Sequence, residues 1–111
     1  MLKDMMLEKN SVHIEGVVKR GATKNVVRDT IHLLNFCLMV PSDGDDVYVD
    51  CFCTTYITDK LGGQVNKGQV LAVTGHLTYR TYTDSIGRKK SGVVVYVDDV
   101  AECYGDYRIA S

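Results

Sequence analysis

The chain has 111 residues and a mass of 12.3 kDa, which is room for one domain but not for two domains with a cleft between them. Its 45% hydrophobic and 24% charged residues are typical of a globular protein and exclude a disordered one. The net charge of −1 at first argues against nucleic-acid binding, because domains with that function are usually basic. No apolar run approaches the roughly 20 residues needed to cross a bilayer, and the N-terminus lacks the features of a signal peptide, so we expect a cytoplasmic protein.

Alternating apolar and polar residues, with glycine interruptions, predict two strands and a turn in the first part of the chain. The first strand covers 10–20, and Gly16 within it indicates a bulge or a sharp bend. Residues 21–29 are polar and basic and are predicted to form a loop. A second strand covers 30–40, and the Pro, Ser, Asp and Gly residues at 41–46 predict a turn.

The third predicted strand, 47–55, alternates most cleanly. Its Cys51 and Cys53 point to one face and its Tyr48 and Phe52 to the other. A short helix over 55–66 is predicted next, because apolar residues recur there at spacings of four. The remaining segments, in order, are a fourth strand from Gln69, its extension as an arm over 76–83, a turn at 84–87, and a fifth strand from Arg88 to about Val100.

The residues that could carry catalysis or bind a metal form no recognisable motif. Cysteines at 37, 51, 53 and 103 have neither C-x-x-C spacing nor nearby histidines, so we expect small buried hydrophobic side chains in a reducing compartment. The aspartates at 43, 45 and 46 lack the spacing of a calcium loop. No nucleophile motif or phosphate-binding loop is present. The sequence therefore predicts a protein without enzymatic activity, metal or cofactor.

Three strands, a short helix and two strands joined by a long hairpin are the element order of the OB-fold, a five-stranded Greek-key barrel. We therefore predict an all-β fold with one short helix and an extended β4–β5 hairpin. In such a barrel some strands must bend sharply, which accounts for the glycines inside the predicted strands.

Four segments of this predicted barrel resemble the family of bacterial-type single-stranded-DNA-binding proteins. They are N-S-V-H-I-E-G at 10–16, K-G-Q-V-L-A-V-T-G-H-L at 67–77, R-T-Y-T-D-S-I-G-R-K at 80–89, and the valine-rich run at 93–97. The resemblance covers about residues 10–103, which leaves 1–9 as an N-terminal extension and 104–111 as a short polar tail. It implies a homo-oligomer, a dimer or more usually a homotetramer built from dimers, that wraps single-stranded DNA in replication, recombination or repair.

The sequence departs from the family's pattern at several positions on the predicted binding face. Tyr48 and Tyr82 stand where the family has tryptophans, and Thr54 stands where it has a third aromatic residue. Asp50 occupies a place where the family favours a polar or basic side chain. The acidic tail with which cellular members recruit repair enzymes is not in this sequence. These departures favour a plasmid, phage or accessory member, or a relative such as the primosomal replication protein.

The net charge of −1 conceals that positive and negative residues are concentrated in separate segments of the chain. Residues 19–28 carry +4 and residues 60–90 carry +5, whereas 41–59 carry −5 and 98–106 carry −4. The basic segments fall in the two predicted loops through which OB-folds grip oligonucleotides. Aromatic side chains on which bases stack, beside cations that follow the phosphates, are what binding of a single strand requires. The predicted DNA-binding residues are Tyr48, Phe52, Tyr79, Arg80, Tyr82, Arg88, Lys89, Lys90, Lys19, Arg20, Lys24 and Arg28.

Other interpretations of the same residues remain open at this point. Tyr79 and Tyr82 can instead pack across the hairpin, and the face of Tyr48 and Phe52 can be a subunit interface. The alternative function is an OB-fold module that docks on a replication or primosome protein and binds DNA weakly, which Asp50 favours. An oligosaccharide-binding OB-fold is a third option, against which the two basic segments argue.

Overall fold

The computed structural model describes residues 2, 6, 9–27, 31–83 and 87–103, and at 23–27, 31 and 32 it describes the backbone alone. The strands are β1 (Val12–Val27), β2 (Ile31–Val40), β3 (Val47–Thr54), β4 (Val70–Thr83) and β5 (Lys89–Glu102). Between β3 and β4 lie helix α1 (Thr55–Thr58) and a 3₁₀ helix (Asp59–Leu61). No helix in the described ranges is long and apolar enough to cross a membrane.

The five strands close into a barrel in the order β1-β2-β3-β5-β4, with β4 hydrogen-bonded back to β1. Neighbouring strands are antiparallel except β3 and β5, which run parallel through the pairs Cys51–Val95 and Phe52–Tyr96. This strand order, with a helix between the third and fourth strands, is that of the OB-fold. The predicted fold class is confirmed.

The barrel interior is filled by the apolar residues that alternate along each strand. Leu38, Cys51, Leu71 and Val73 are among its fully buried side chains, and Cys51 lies on the face of β3 that carries the cysteines predicted to be buried. Burial in this interior raises the pKa of the Cys53 thiol to about 12. The cysteines at 37, 51 and 53 are buried and carry free thiols, so they pack as small hydrophobic side chains.

Two glycines allow strands to approach each other closely where the barrel bends. A Cβ at Gly16 would overlap the carbonyl oxygen of Met39 on β2, and a Cβ at Gly75 would overlap the carbonyl oxygen of Tyr96 on β5. The β4–β5 pairing also shifts register between Thr74 and Gly75. Any larger residue would force these strands apart, which is why the pattern breaks at glycine in both strands.

The loop predicted over 21–29 is wrong for most of its length. β1 continues to Val27 and pairs with β2 as far as the pair Val27–Ile31, with two register irregularities on either side of Arg20. The basic composition disguised the strand, because an antiparallel strand with one face in solvent carries polar and charged residues on that face. Lys24 lies in this strand, with its side chain outside the described part, and Arg28 lies outside the described residues.

The predicted helix is shorter than the sequence indicated. Helical structure ends at Leu61, where Gly62 takes a left-handed conformation with φ 75° that terminates it. The expected apolar face is nevertheless used, since Ile57 and Leu61 pack against the core and Val65, beyond the helix, is buried in it. This segment covers one end of the barrel.

The β4–β5 hairpin extends past the barrel as a two-stranded arm, in which 78–83 of β4 pair with 89–94 of β5. Its strands pair with each other from Thr83–Lys89 inward. Within the described residues, β1 pairs with β4 only up to Gly75, and β3 pairs with β5 only at Val95 and Tyr96. Within these described residues the two strands of the arm therefore pair only with each other. Contacts of the arm's side chains then determine its position relative to the barrel.

Candidate nucleic-acid interface

The arm lies against the outer face of β3. Tyr82 meets Phe52 edge to face, with ring centroids 4.9 Å apart and an interplanar angle of 75°. The Arg80 guanidinium carbon lies 5.2 Å from the centroid of the same ring. Tyr82 and Arg80 are two residues apart and share one face of the arm, so a single aromatic ring holds that face in place.

Phe52 is consequently not an open surface for a base. Its side chain is 1% exposed and forms a second apolar cluster with Leu33 and Val94, against which Tyr82 and Tyr96 pack. A ring covered in this way cannot offer its face for stacking while the arm is in place. The prediction that Phe52 contacts DNA is therefore revised: its position is that of a support beneath Tyr82 and Arg80. Alternation along β3 placed it on the correct face, but alternation could not show that the arm covers it.

Asp50 is the acidic centre of this face. The Tyr82 hydroxyl donates a hydrogen bond of 2.5 Å to its Oδ2, and an Nη of Arg20 lies 3.3 Å from its Oδ1. The two side chains of the ion pair are 33% (Arg20) and 26% (Asp50) exposed, so solvent reaches both. Asp50 thus joins a cation from β1 to an aromatic residue of the arm, across sequence separations of 30 and 32 residues.

Cations from both predicted basic segments lie near Asp50, and they act on the pKa of the neighbouring Cys37 thiol. Burial, and next the Asp50 carboxylate, raise the pKa of Cys37, whereas three cations oppose that rise. Those cations are Arg20, Lys90 and Lys19. Because such charge effects act over short range in a protein, Lys19 and Arg20 of the first segment lie on the same side of the barrel as Lys90 of the second.

The exposed cations divide between the two faces of the arm. Lys90 is paired with Tyr82 and shares its face, whereas Lys89 is paired with Thr83 and lies on the opposite face. Both are exposed, as are Arg88 at the start of the returning strand and Lys19 on β1. Arg88, Lys89 and Lys90 are consecutive in the sequence, but the pleat of the strand places Lys89 and Lys90 on opposite faces.

Tyr79 is not brought together with Tyr82. The two residues are three apart in a strand, so they point to opposite faces. Tyr79 is paired with Val93, and together with Leu77 these residues form an exposed apolar strip on the far face of the arm. Tyr48, at the start of β3, is 61% exposed on the same strand face as Asp50, so its ring is accessible.

Asn35 is a polar residue of this face that the sequence analysis missed. It is paired with Phe52 across β2 and β3 and is 1% exposed. Within the described part of the chain neither its amide nitrogen nor its amide oxygen has a hydrogen-bond partner, and the same holds for the Nε atoms of Arg20 and Arg80. The available signal was a lone asparagine inside the apolar run 33–40, which is unusual in a strand.

The described residues contain no cluster of histidine, cysteine or acidic side chains that could hold a metal ion. His13 bonds to Thr74 and His76 to Asp98, each at 3.0 Å.

Comparison with known proteins supports the fold and goes no further. No protein-family model and no curated protein matches the sequence. Among solved structures, the chain is similar to the dimeric structure of the N-terminal domain of PriB protein from Thermoanaerobacter tencongensis, with a TM-score of 0.68 and 18% sequence identity. The alignment covers 87% of this chain and 99% of that domain. At this identity the likeness shows that the two chains share a fold, which is the OB-fold identified from the strand order.

Proposed function

We propose that the protein binds single-stranded DNA without sequence preference, on the side of the barrel where β3 and the arm meet. The observation that carries the proposal is that Lys19, Arg20, Arg80 and Lys90 lie on the side of the barrel that carries Tyr82 and the exposed ring of Tyr48. A single strand offers unpaired bases and closely spaced phosphates. Aromatic rings and cations side by side are the groups that bind both.

Each part of the face has a defined task in this proposal. Tyr48 offers an accessible ring, and stacking of one base on such a ring contributes about 1–3 kcal/mol. Arg80 and Lys90 on the arm, with Lys19 and Arg20 on β1, follow the phosphates. Phe52 holds the arm in place and contacts no base.

Salt dependence tests the proposal directly. The anisotropy of fluorescein-labelled oligo-dT is measured during titration with the protein at several salt concentrations. We expect binding to weaken with salt with a logarithmic slope of about −0.7 for each phosphate contact. No binding at low salt refutes the proposed function.

A matched pair of double variants locates the contacts. Lys89→Ala with Lys90→Ala removes two cations from the arm, and we expect the slope to become shallower by about 0.7 for each lysine that contacts a phosphate. The control, Lys60→Ala with Lys67→Ala, removes the same charge from the segment between β3 and β4, where Lys60 pairs with Asp99. Equal effects of the two pairs would mean that net charge alone, and not this face, governs binding.

A second candidate function, a protein-interaction module with weak DNA binding, is favoured by the exposed strip of Leu77, Tyr79 and Val93. An apolar strip on the far face of the arm fits a protein partner or a second copy of this chain better than it fits phosphates. We expect a homo-oligomer, whose mass is measured by light scattering with and without oligo-dT. If Tyr79→Ser with Val93→Ser lowers that mass and leaves DNA affinity unchanged, the strip is the subunit interface. Unchanged DNA affinity in the double arm-lysine variant favours the interaction module.

A further inference from the structure

The pair of groups that holds the Asp50 carboxylate is a complete anion-binding arrangement. A guanidinium from β1 and a hydroxyl from the arm donate to its two different oxygens. A phosphodiester has the same unit charge and likewise two free oxygens, and it accepts hydrogen bonds from the same donors. We propose that Asp50 occupies a phosphate site of the protein itself, so that a DNA strand must displace this carboxylate to bind. The inference rests on the proposed function, and it assigns Asp50 the role of an internal competitor.

The donors around Asp50 are not saturated by it. Arg20 contacts the carboxylate through one Nη at 3.3 Å, which is a long contact for a charge-assisted hydrogen bond. The Nε atom of Arg20 is buried and has no partner in the described residues. A guanidinium binds an anion best through two parallel hydrogen bonds. The arrangement therefore has unused capacity for an anion that reaches further than the short Asp50 side chain.

Displacement of Asp50 is sterically feasible. Its side chain is 26% exposed and it lies on β3 beside exposed Tyr48, so the carboxylate can turn to solvent without the strand moving. Phe52, two residues along the same face, keeps the arm in place through Tyr82 and Arg80. An arriving phosphate would then find Arg20 and Tyr82 already in position, because the carboxylate held them there.

The direction of the effect follows from the charge. Asp50→Asn keeps the size of the side chain, removes its charge and frees Arg20 for a phosphate. We expect oligo-dT to bind about three- to tenfold more tightly, and the salt slope to become steeper by about 0.7, which is one added phosphate contact. Asp50→Ser provides a second neutral variant with a smaller side chain.

Asp99→Asn is the matched control. It removes the same charge from an acid that also pairs with one cation, Lys60, at the end of β5 away from the arm. Each variant is titrated with oligo-dT and with an abasic strand of equal length, because a phosphate site does not require bases. A urea unfolding curve for each variant establishes that it is folded.

The outcomes separate the inference from the function on which it rests. Tighter binding and a steeper slope for both Asp50 variants, on both strands and beyond the change in the control, support the inference. If wild type binds with the expected salt dependence and the Asp50 variants bind equally or more weakly, the inference is overturned and the proposed function stands, with Asp50 acting only to orient Arg20 and Tyr82. If neither wild type nor any variant binds either strand, both are refuted.

Discussion

Replacing Phe52 is the most direct way to test how the arm is held against the barrel. The ring is 1% exposed and has Tyr82 edge-on at 4.9 Å and Arg80 above it at 5.2 Å. Truncation of a buried phenylalanine to alanine costs about 3–5 kcal/mol, a large part of the 5–15 kcal/mol by which a domain is typically stable. Phe52→Leu, which conserves more volume, is expected to cost about 1–1.5 kcal/mol.

Urea unfolding at fixed protein concentration measures both costs. With an m-value of about 1.5 kcal/mol per M for a chain of this size, Phe52→Leu lowers the midpoint by about 0.7–1 M, and Phe52→Ala lowers it by about 2–3 M. Tyr48→Ala is the control, because its ring is 61% exposed on the same strand. That variant is expected to stay within about 0.5 kcal/mol of wild type and to bind oligo-dT more weakly.

The result that would refute this reasoning is the reverse pattern. If Phe52→Leu leaves the urea midpoint unchanged while it weakens binding of oligo-dT as strongly as Tyr48→Ala does, then Phe52 is open to bases and the arm does not cover it.

Three further predictions follow from the described contacts. Gly75→Ala is expected to destabilise the protein by at least about 3 kcal/mol, because its Cβ would overlap the Tyr96 carbonyl oxygen. The control is Gly92→Ala, whose Cβ meets no atom within 4 Å and which is expected to leave the thermal midpoint nearly unchanged. Equal thermal midpoints of the two variants would contradict the close approach of β4 and β5 at Gly75. Asn35→Leu is expected to raise the free energy of unfolding by about 1–3 kcal/mol, because it removes buried polar atoms that have no partner among the described residues. A loss of stability would show that the amide is hydrogen-bonded in solution. At pH 8 a disulfide reagent is expected to leave Cys53 unmodified until the protein unfolds, because burial raises its thiol pKa to about 12 and so removes the reactive thiolate; rapid reaction in the native state, located by peptide mapping, would contradict its burial.

The sequence alone was sufficient to predict the fold class, because the patterns that indicate it lie within short segments of the chain. Side-chain alternation along 47–54 and 70–75, together with glycines at the bends, is enforced by strand geometry within a few residues. The order of three strands, a short helix and two strands then matched that of the OB-fold, a small barrel. Alternation is also sufficient to place Tyr79 and Tyr82 on opposite faces of the arm, since residues three apart in a strand point to opposite faces.

Other features depended on contacts between distant segments, which no local pattern encodes. Composition predicted a loop at 21–29, but pairing with β2 makes most of it a strand. Only tertiary structure placed the arm over Phe52, and it thereby turned a predicted stacking residue into a buried support. It also brought Asp50 together with Arg20 and Tyr82, which are 30 and 32 positions away in the chain, because closing a barrel joins strands that are distant in sequence. The sequence thus determined which residues face outward, and the fold decided which of them meet.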